Sequence, residues 1–335
     1  MKAPFVWFGG KRRVAPEVWA ALGDVPNYIE PFAGSLAVLL GRPHDMSNGT
    51  RRAETVNDAD GFLANFWRAL AHDPEAVAHW CDWPVNEVDL FARHLWLVNT
   101  GRSRLLEGME ADPDFYDAQV AGWWVWGVNA WIGSGWCSGD GPWVDTGDGI
   151  GKLPHLGSAG QGVNRQLPHL GNAGRAGYNN MEYRPNVLGY FEELAGRLRD
   201  VRVCCGDWSR VCTSGAMSYG SRVGVFLDPP YLGDVRTADL YAVDDHTIAH
   251  AVRDWCLEHG DDPRLRIVLA GYRAEHDDLM PDTWRRHYYS ASAAYSTTES
   301  AARQDGNHAN RANEVLWFSP HCVTPDRQGE LWEAL

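Results

Sequence analysis

Short apolar runs ending on polar or acidic residues alternate along this chain with longer stretches whose apolar residues recur three and four positions apart. Tyr28 to Phe32, Glu54 to Asn57, Val201 to Cys205, Val223 to Leu227, Arg266 to Ala270, His287 to Ser290 and Glu314 to Phe318 read as seven strands. Ala37 to Leu40 reads as helical. Gly61 to Ala71 carries Phe62, Leu63, Phe66 and Leu70 on one helical face. Asp245 to Glu258 carries Ile248, Val252 and Trp255 at helical spacing. Strands with helices between them predict an α/β fold with a doubly wound sheet.

The middle of the chain breaks this pattern. Residues 74 to 133 read as helical and tryptophan-rich, and residues 134 to 184 as glycine-rich and irregular. The densest apolar stretch, Ala118 to Ile132, predicts a buried helix, with the tryptophans of residues 123 to 136 read as core and Asn129 as a buried polar group that needs a partner. Leu153-Pro154-His155-Leu156-Gly157 recurs as Leu167-Pro168-His169-Leu170-Gly171, a duplicated loop or hairpin.

A length of 335 residues suits one large domain, or one domain with a substantial insertion. There is no secretory apolar region and no apolar run near the ~20 residues of a membrane span. The seven cysteines contain no C-x-x-C pair, which predicts a reducing compartment, no disulfide framework and no zinc site. A net charge of −14 excludes indiscriminate nucleic-acid binding, so basic residues for such a partner must be concentrated. They fall in three islands: Met1 to Arg13, Gly149 to Arg184, and Arg285 to Arg311.

The most informative residues are Asp228-Pro229-Pro230-Tyr231, which follow the strand Val223 to Leu227. In open α/β sheets, ligands bind at the carboxyl ends of strands. A carboxylate, a rigid turn and an aromatic face at that edge suit methyl transfer to an amino group conjugated to a flat heterocycle. The exocyclic nitrogen of adenine or cytosine is a poor nucleophile because its lone pair is delocalised into the ring. Asp228 offers one acceptor to its N–H groups. The carbonyl of Pro229 offers a second. Tyr231 offers a stacking face worth roughly 1–3 kcal/mol. Such a base must leave the duplex to be reached.

Five segments, in order, resemble the Dam-type, alpha-group DNA adenine-N6 methyltransferases of bacteria and phages. Trp7-Phe8-Gly9-Gly10-Lys11 resembles the family's W-x-G-G-K. Glu30-Pro31-Phe32-Ala33-Gly34-Ser35 resembles its cofactor turn, E-P-F-x-G-x-G, with Leu36 in place of the second glycine. Asn57-Asp58 resembles the acidic end of its second strand, and Gly206-Asp207-Trp208 its G-D-F/W segment. Asp228-Pro229-Pro230-Tyr231 matches its catalytic tetrapeptide. The resemblance implies a Rossmann-like, seven-stranded methyltransferase sheet built from residues 1–73 and 191–335. It implies an inserted, mostly helical target-recognition domain at residues 74–190, with a base-reading hairpin.

The implied cofactor is S-adenosylmethionine, held by Trp7, Gly10, Lys11, Glu30, Pro31, Phe32, Gly34, Ser35, Asp58, Asp207, Trp208 and Asp228. The implied catalytic residues are Asp228, Pro229, Pro230 and Tyr231. No metal is required. Asp58 suits ribose hydroxyls, and it equally suits the N-cap of the helix from Gly61. Double-stranded DNA is the expected partner. Its candidate contacts are Lys11, Lys152, Arg165, Arg175, Arg303, Asn307 and Arg311. A cognate restriction endonuclease and a bacterial cytoplasm complete the expectation. Cytosine-N4 methylation, another amino or amide acceptor, and a silent DNA-binding homologue are the alternatives. No G-x-G-x-x-G follows the first strand, which speaks against a nicotinamide enzyme.

Overall fold

A computed structural model of the protein describes residues 1–7, 9–43, 52–131, 136–137, 143–145, 150–152, 186–230, 245–289 and 314–324. The described strands are β1 (Asn27–Glu30), β2 (Ala53–Asp58), β3 (Trp143–Asp145), β4 (Ile150–Lys152), β5 (Val201–Cys205), β6 (Val223–Leu227), β7 (Leu265–Tyr272), β8 (Arg285–Tyr289) and β9 (Glu314–Phe318). The described helices are α1 (Ala15–Leu22), α2 (Ala37–Leu40), α3 (Gly61–His72), α4 (Pro74–Cys81), α5 (Glu87–Trp96), α6 (Arg102–Ala111), α7 (Ala118–Ala130), α8 (Val187–Leu198), α9 (Asp245–His259) and α10 (Arg273–His276).

Seven strands form one sheet in the order β5-β2-β1-β6-β7-β9-β8. β1 runs parallel to β2 and β6, and β6 runs parallel to β7. β9 is antiparallel to both of its neighbours. This is the α/β sheet that the strand pattern predicts and the methyltransferase-like sheet that the resemblance implies. Every residue of β1, β6 and β9 is buried. That accounts for the unbroken apolar run of β6 and the apolar stretch Val315 to Phe318 of β9, because a strand covered on both faces has no polar side to show. β8 lies at the sheet's edge and is partly exposed. The pattern puts this strand at His287 to Ser290, and the structure begins it two residues earlier. Arg285 and Arg286 look unlike strand residues, yet an edge strand admits them: the Arg285 guanidinium sits 4.1 Å over the Phe318 ring.

The direction of β9 places one residue where sequence spacing does not suggest it. Glu314, its first residue, pairs with Tyr272 at the end of β7 and with Tyr289 at the end of β8. An antiparallel strand begins where its parallel neighbours end. Glu314 therefore lies at the same edge of the sheet as Asp228.

The described residues divide into two compact units. One holds residues 1–7 and 58–207, the other residues 9–57, 208–230 and 245–324. In the sheet unit, α1 packs on β6 and β7, and α9 on β7. In the helical unit, α3 and α4 pack against α7 and α8. The predicted buried helix is α7, with Trp124 and Trp126 in the core. Phe5, Phe66 and Trp124 meet there with ring centroids 5.2 to 5.6 Å apart. Asn129 finds the partners it needs, donating to the carbonyls of Pro4 (3.2 Å) and Val125 (2.8 Å). At Gly127 the Trp136 ring lies so close that a side-chain carbon would stand 1.8 Å from it, so only glycine fits.

Polar residues end and begin these helices. Asp73, Asn86 and Asp117 each accept a backbone N–H at the first turn of α4, α5 and α7. α5 and α6 join through a π-helical turn, Leu97–Gly101. Residues Trp143–Asp145 and Ile150–Lys152 pair as an antiparallel hairpin inside the predicted insertion. The duplicated loop of residues 153–174 lies outside the described residues.

Candidate active site

The site is best followed from the end of β1. Glu30 is its last residue and is 2% exposed. The Tyr28 hydroxyl donates to Glu30 Oε2 at 2.9 Å, and the backbone N–H of Leu39 donates to the same oxygen at 3.2 Å. Burial lifts the Glu30 carboxyl from the ordinary carboxylate range to about 8, the two hydrogen bonds oppose the lift, and the negative charge of Asp228 adds to it. The glutamate that opens the turn is thus largely neutral at pH 7.

The chain then turns through Pro31 to Leu36. Ala33 donates to the Asn57 carbonyl (2.8 Å), and the Asn57 amide donates to the Pro31 carbonyl (3.0 Å). These bonds tie the turn to the end of β2. Gly34 has φ +47° and Leu36 has φ +53°. The second value is uncommon for a residue with a branched side chain. The Leu36 side chain is fully buried, and its backbone carbonyl accepts from Leu40 to start α2. Where the resembling motif has glycine, the backbone of this chain is left-handed. The loop keeps that conformation with leucine, and apolar burial offsets the strain.

Asp228 follows β6, the strand paired with β1. Its carboxylate Oδ1 lies 3.0 Å from the ammonium of Lys11. The Lys11 side chain is only 5% exposed. Its ammonium also donates to the Gly9 carbonyl at 2.8 Å and lies 3.9 Å from Glu314 Oε2. A residue of the N-terminal basic segment, the aspartate that follows β6 and the first residue of β9 thus converge from three distant parts of the chain. Lys11 turns its charge inward, against two carboxylates. Glu314 is the one member of this cluster that carries no motif. The signal for it in the sequence is an acid opening an otherwise apolar strand.

Phe32 is half-buried, and its ring stacks on that of Trp208 (6.2 Å, 26°). Trp208 in turn meets Trp255 edge-on at 6.3 Å. Pro31 and Ser35 are buried, Gly10 is exposed, Pro229 is buried and Pro230 is half-buried. In the helical unit, the Trp7 ring lies 5.8 Å from Phe5, and Asp207 is exposed after β5. Asp58 ends β2 without capping α3. The cap is Asp60, whose carboxylate accepts from Phe62 and Leu63, while Asp58 Oδ1 accepts from the Asp60 N–H. The cap reading of Asp58 is corrected accordingly: a helix starting at Gly61 takes its cap from the residue directly before it.

Lys152 ends β4, opposite Trp143. Tyr231, Arg165, Arg175, Arg303, Asn307 and Arg311 lie outside the described residues. Among the described residues no helix is long and apolar enough to cross a membrane. Residues 7–86 match the family model of the D12 class N6 adenine-specific DNA methyltransferase. No curated protein matches the chain.

Proposed function

We propose that this chain, a D12 class N6 adenine-specific DNA methyltransferase that works with S-adenosylmethionine, activates its target amino group through Asp228 and Pro229. The observation that carries the reading is the contact between Lys11 and Asp228, 3.0 Å apart, which joins the family's first and last motifs. Held by Lys11 at 3.0 Å, the Asp228 carboxylate is the first acceptor, for an N–H of the adenine amino group. The Pro229 carbonyl is the second acceptor. Together they draw the nitrogen lone pair out of the ring and toward attack. Tyr231 stacks on the flipped base.

The residues present suit the cofactor. S-adenosylmethionine supplies, when bound, a methyl group on a cationic sulfonium. The half-buried Phe32 ring stacked on Trp208 and the left-handed turn at Gly34 offer an aromatic face and a close backbone approach to such a group. The turn at Gly34, the Phe32 ring, Glu30, Pro31 and Ser35 form one group of proposed cofactor contacts; Trp7, Gly10, Lys11, Asp58, Asp207 and Trp208 complete the set.

The recognition domain is assigned to residues 74–190. The hairpin β3–β4 with Lys152, together with Arg165 and Arg175, is its proposed DNA-contacting part. Arg303, Asn307 and Arg311 are proposed to hold the displaced strand. Seven free thiols support a reducing, intracellular setting. A cognate endonuclease remains part of the reading on family grounds alone.

The test is direct. Purified protein is incubated with methyl-labelled S-adenosylmethionine and unmethylated DNA of mixed sequence, and the digested nucleosides are identified by mass spectrometry. Label is expected on N6-methyladenosine. Asp228→Ala is expected to lower transfer by at least about 100-fold, with cofactor affinity changed by less than about threefold. Normal turnover by that variant would overturn the assignment, and label on N4-methylcytosine would move it to the other amino base.

A further inference from the structure

We propose that Glu314 is a positioning residue for this reaction: it draws the Lys11 ammonium to a point between two carboxylates, so that Lys11 fixes Asp228 without cancelling its negative charge. The inference rests on the function proposed above and adds a residue to it.

An ammonium has three N–H donors and no acceptor. Lys11 directs one at Asp228 Oδ1 and one at the Gly9 carbonyl, at 3.0 and 2.8 Å. Glu314 Oε2, at 3.9 Å, is too far for a good hydrogen bond and close enough for strong attraction in a buried site. Lys11 and Glu314 are each 5% exposed, so water does not screen the pair.

The consequence is electronic. Bound by a lone ammonium, Asp228 would be a weaker acceptor for the amino N–H groups. The amino nitrogen also gains positive charge as it takes up a methyl group, and an uncompensated ammonium nearby opposes that. Among the described residues, a second carboxylate 3.9 Å from the Lys11 ammonium supplies a negative charge that offsets it. Glu30 cannot supply it at neutral pH, because burial keeps its proton on. Arg42, the buried arginine of this unit, faces Glu54 and Asp24 instead. Glu314 is thus the counter-charge at the right edge of the sheet, delivered there by the reversed direction of β9.

The experiment compares wild type, Glu314→Gln, Lys11→Met and the double variant in steady-state transfer to DNA. Glu314→Gln keeps the volume and removes the charge. It is expected to lower kcat by about 10- to 100-fold, with KM for cofactor and DNA changed by less than about threefold. If Glu314 acts through Lys11, the double variant should be within about twofold of Lys11→Met alone. Losses that multiply, or a Glu314→Gln kcat within about threefold of wild type, would overturn the proposal.

A second readout does not depend on turnover. The chain has three lysines, Lys2, Lys11 and Lys152, so the side-chain nitrogen signals of lysine-labelled protein can be assigned one by one. Glu314→Gln should move the Lys11 signal and leave the other two in place, and an unmoved Lys11 signal overturns the pairing. A wild-type protein that transfers no methyl group would sink the function reading separately, with the Lys11 signal still deciding whether Glu314 holds the lysine.

Discussion

In the sheet unit, several buried polar side chains carry opposite charges and face one another, beside the neutral Glu30: Lys11 lies 3.0 Å from Asp228 and 3.9 Å from Glu314, and Arg42 pairs with Glu54 at 2.9 Å. In the helical unit they are mostly amides and caps satisfied by the backbone. Asn65 donates to the Asp117 carbonyl at 2.9 Å and accepts from its N–H at 2.8 Å. Asp117 caps α7, and Asn129 bridges two carbonyls. The buried arginine there, Arg93, lies over the rings of Trp126, Trp123 and Trp83. The contrast has a physical reading. Burying a charge is costly unless its partner is well placed, and removing one partner leaves the other stranded. The Lys11 and Arg42 ion pairs of the sheet unit meet that condition, and the helical unit is held together mainly by buried area and amides. Substitutions in the two units should fail differently: loss of turnover in one, loss of stability in the other.

The largest stability effect is expected at Trp124, which is 2% exposed and meets Phe5, Phe66 and Trp7. Trp124→Ala should destabilise the protein by about 3–5 kcal/mol, read from urea denaturation. Turnover per folded molecule should stay near wild type. A stable variant with collapsed turnover would break the comparison and would mean that this aromatic cluster serves a substrate.

The two units also differed in how much the sequence disclosed. Buried strands are legible because both faces are apolar: the pattern places Val223 to Leu227 and Glu314 to Phe318 where the structure has β6 and β9, and it also finds the edge strand β5 at Val201 to Cys205. The helix α7 is legible for the same reason. The residues of the motifs are legible one at a time, but their meeting is not. That Lys11 touches Asp228 depends on the segment before α1 reaching the end of β6, and that Glu314 joins them depends on β9 running backwards. Neither fact is written in local spacing. Helix α1 is buried along Ala15, Val18, Trp19 and Leu22, yet it is too short and too interrupted to stand out in the pattern. The cap at Asp60 is a matter of one dipeptide step, finer than apolar periodicity can resolve.

The contrast in buried charge has a pH signature. Glu30 titrates at about 8 in the folded chain against an ordinary value near 4.5. The folded state therefore holds a proton that the unfolded state has released, and stability present at low pH is lost as pH rises toward 8. The slope from this group is at most about 1.4 kcal/mol per pH unit. His94 in the helical unit has the opposite sign. Burial lowers it to about 4, so its contribution to stability is lost as pH falls from about 6.5 toward 4. His276 in the sheet unit behaves like His94, also held near 4 by burial. Between pH 6.5 and 8 only Glu30 among the three titrates. In that window Glu30→Gln should flatten the fall in stability seen in wild type, measured by denaturation at half-unit pH steps. Parallel curves for the two proteins would show that Glu30 is already ionised at pH 7.

The smallest effect concerns the turn that starts α2, where the family's glycine is Leu36 and the backbone is left-handed at φ +53°. Two terms compete there. A branched L-residue in this conformation costs roughly 1–2 kcal/mol, while the fully buried leucine side chain contributes roughly 2–3 kcal/mol. Leu36→Gly relieves the first and loses the second, so restoring the family's residue should destabilise the chain by about 1–2 kcal/mol. Leu36→Ala loses the side chain and keeps the strain, so it should be the worse of the two by about 1 kcal/mol. In an ordinary right-handed helix the order is reversed, with glycine the worse by roughly 0.5–1 kcal/mol. The ranking of the two variants in thermal denaturation therefore reports the backbone conformation itself. Alanine above glycine would mean that Leu36 has left the left-handed region and that the turn has another shape. Glycine above alanine would show a turn whose geometry is kept by its hydrogen bonds to β2, with the leucine adding stability that the glycine would not.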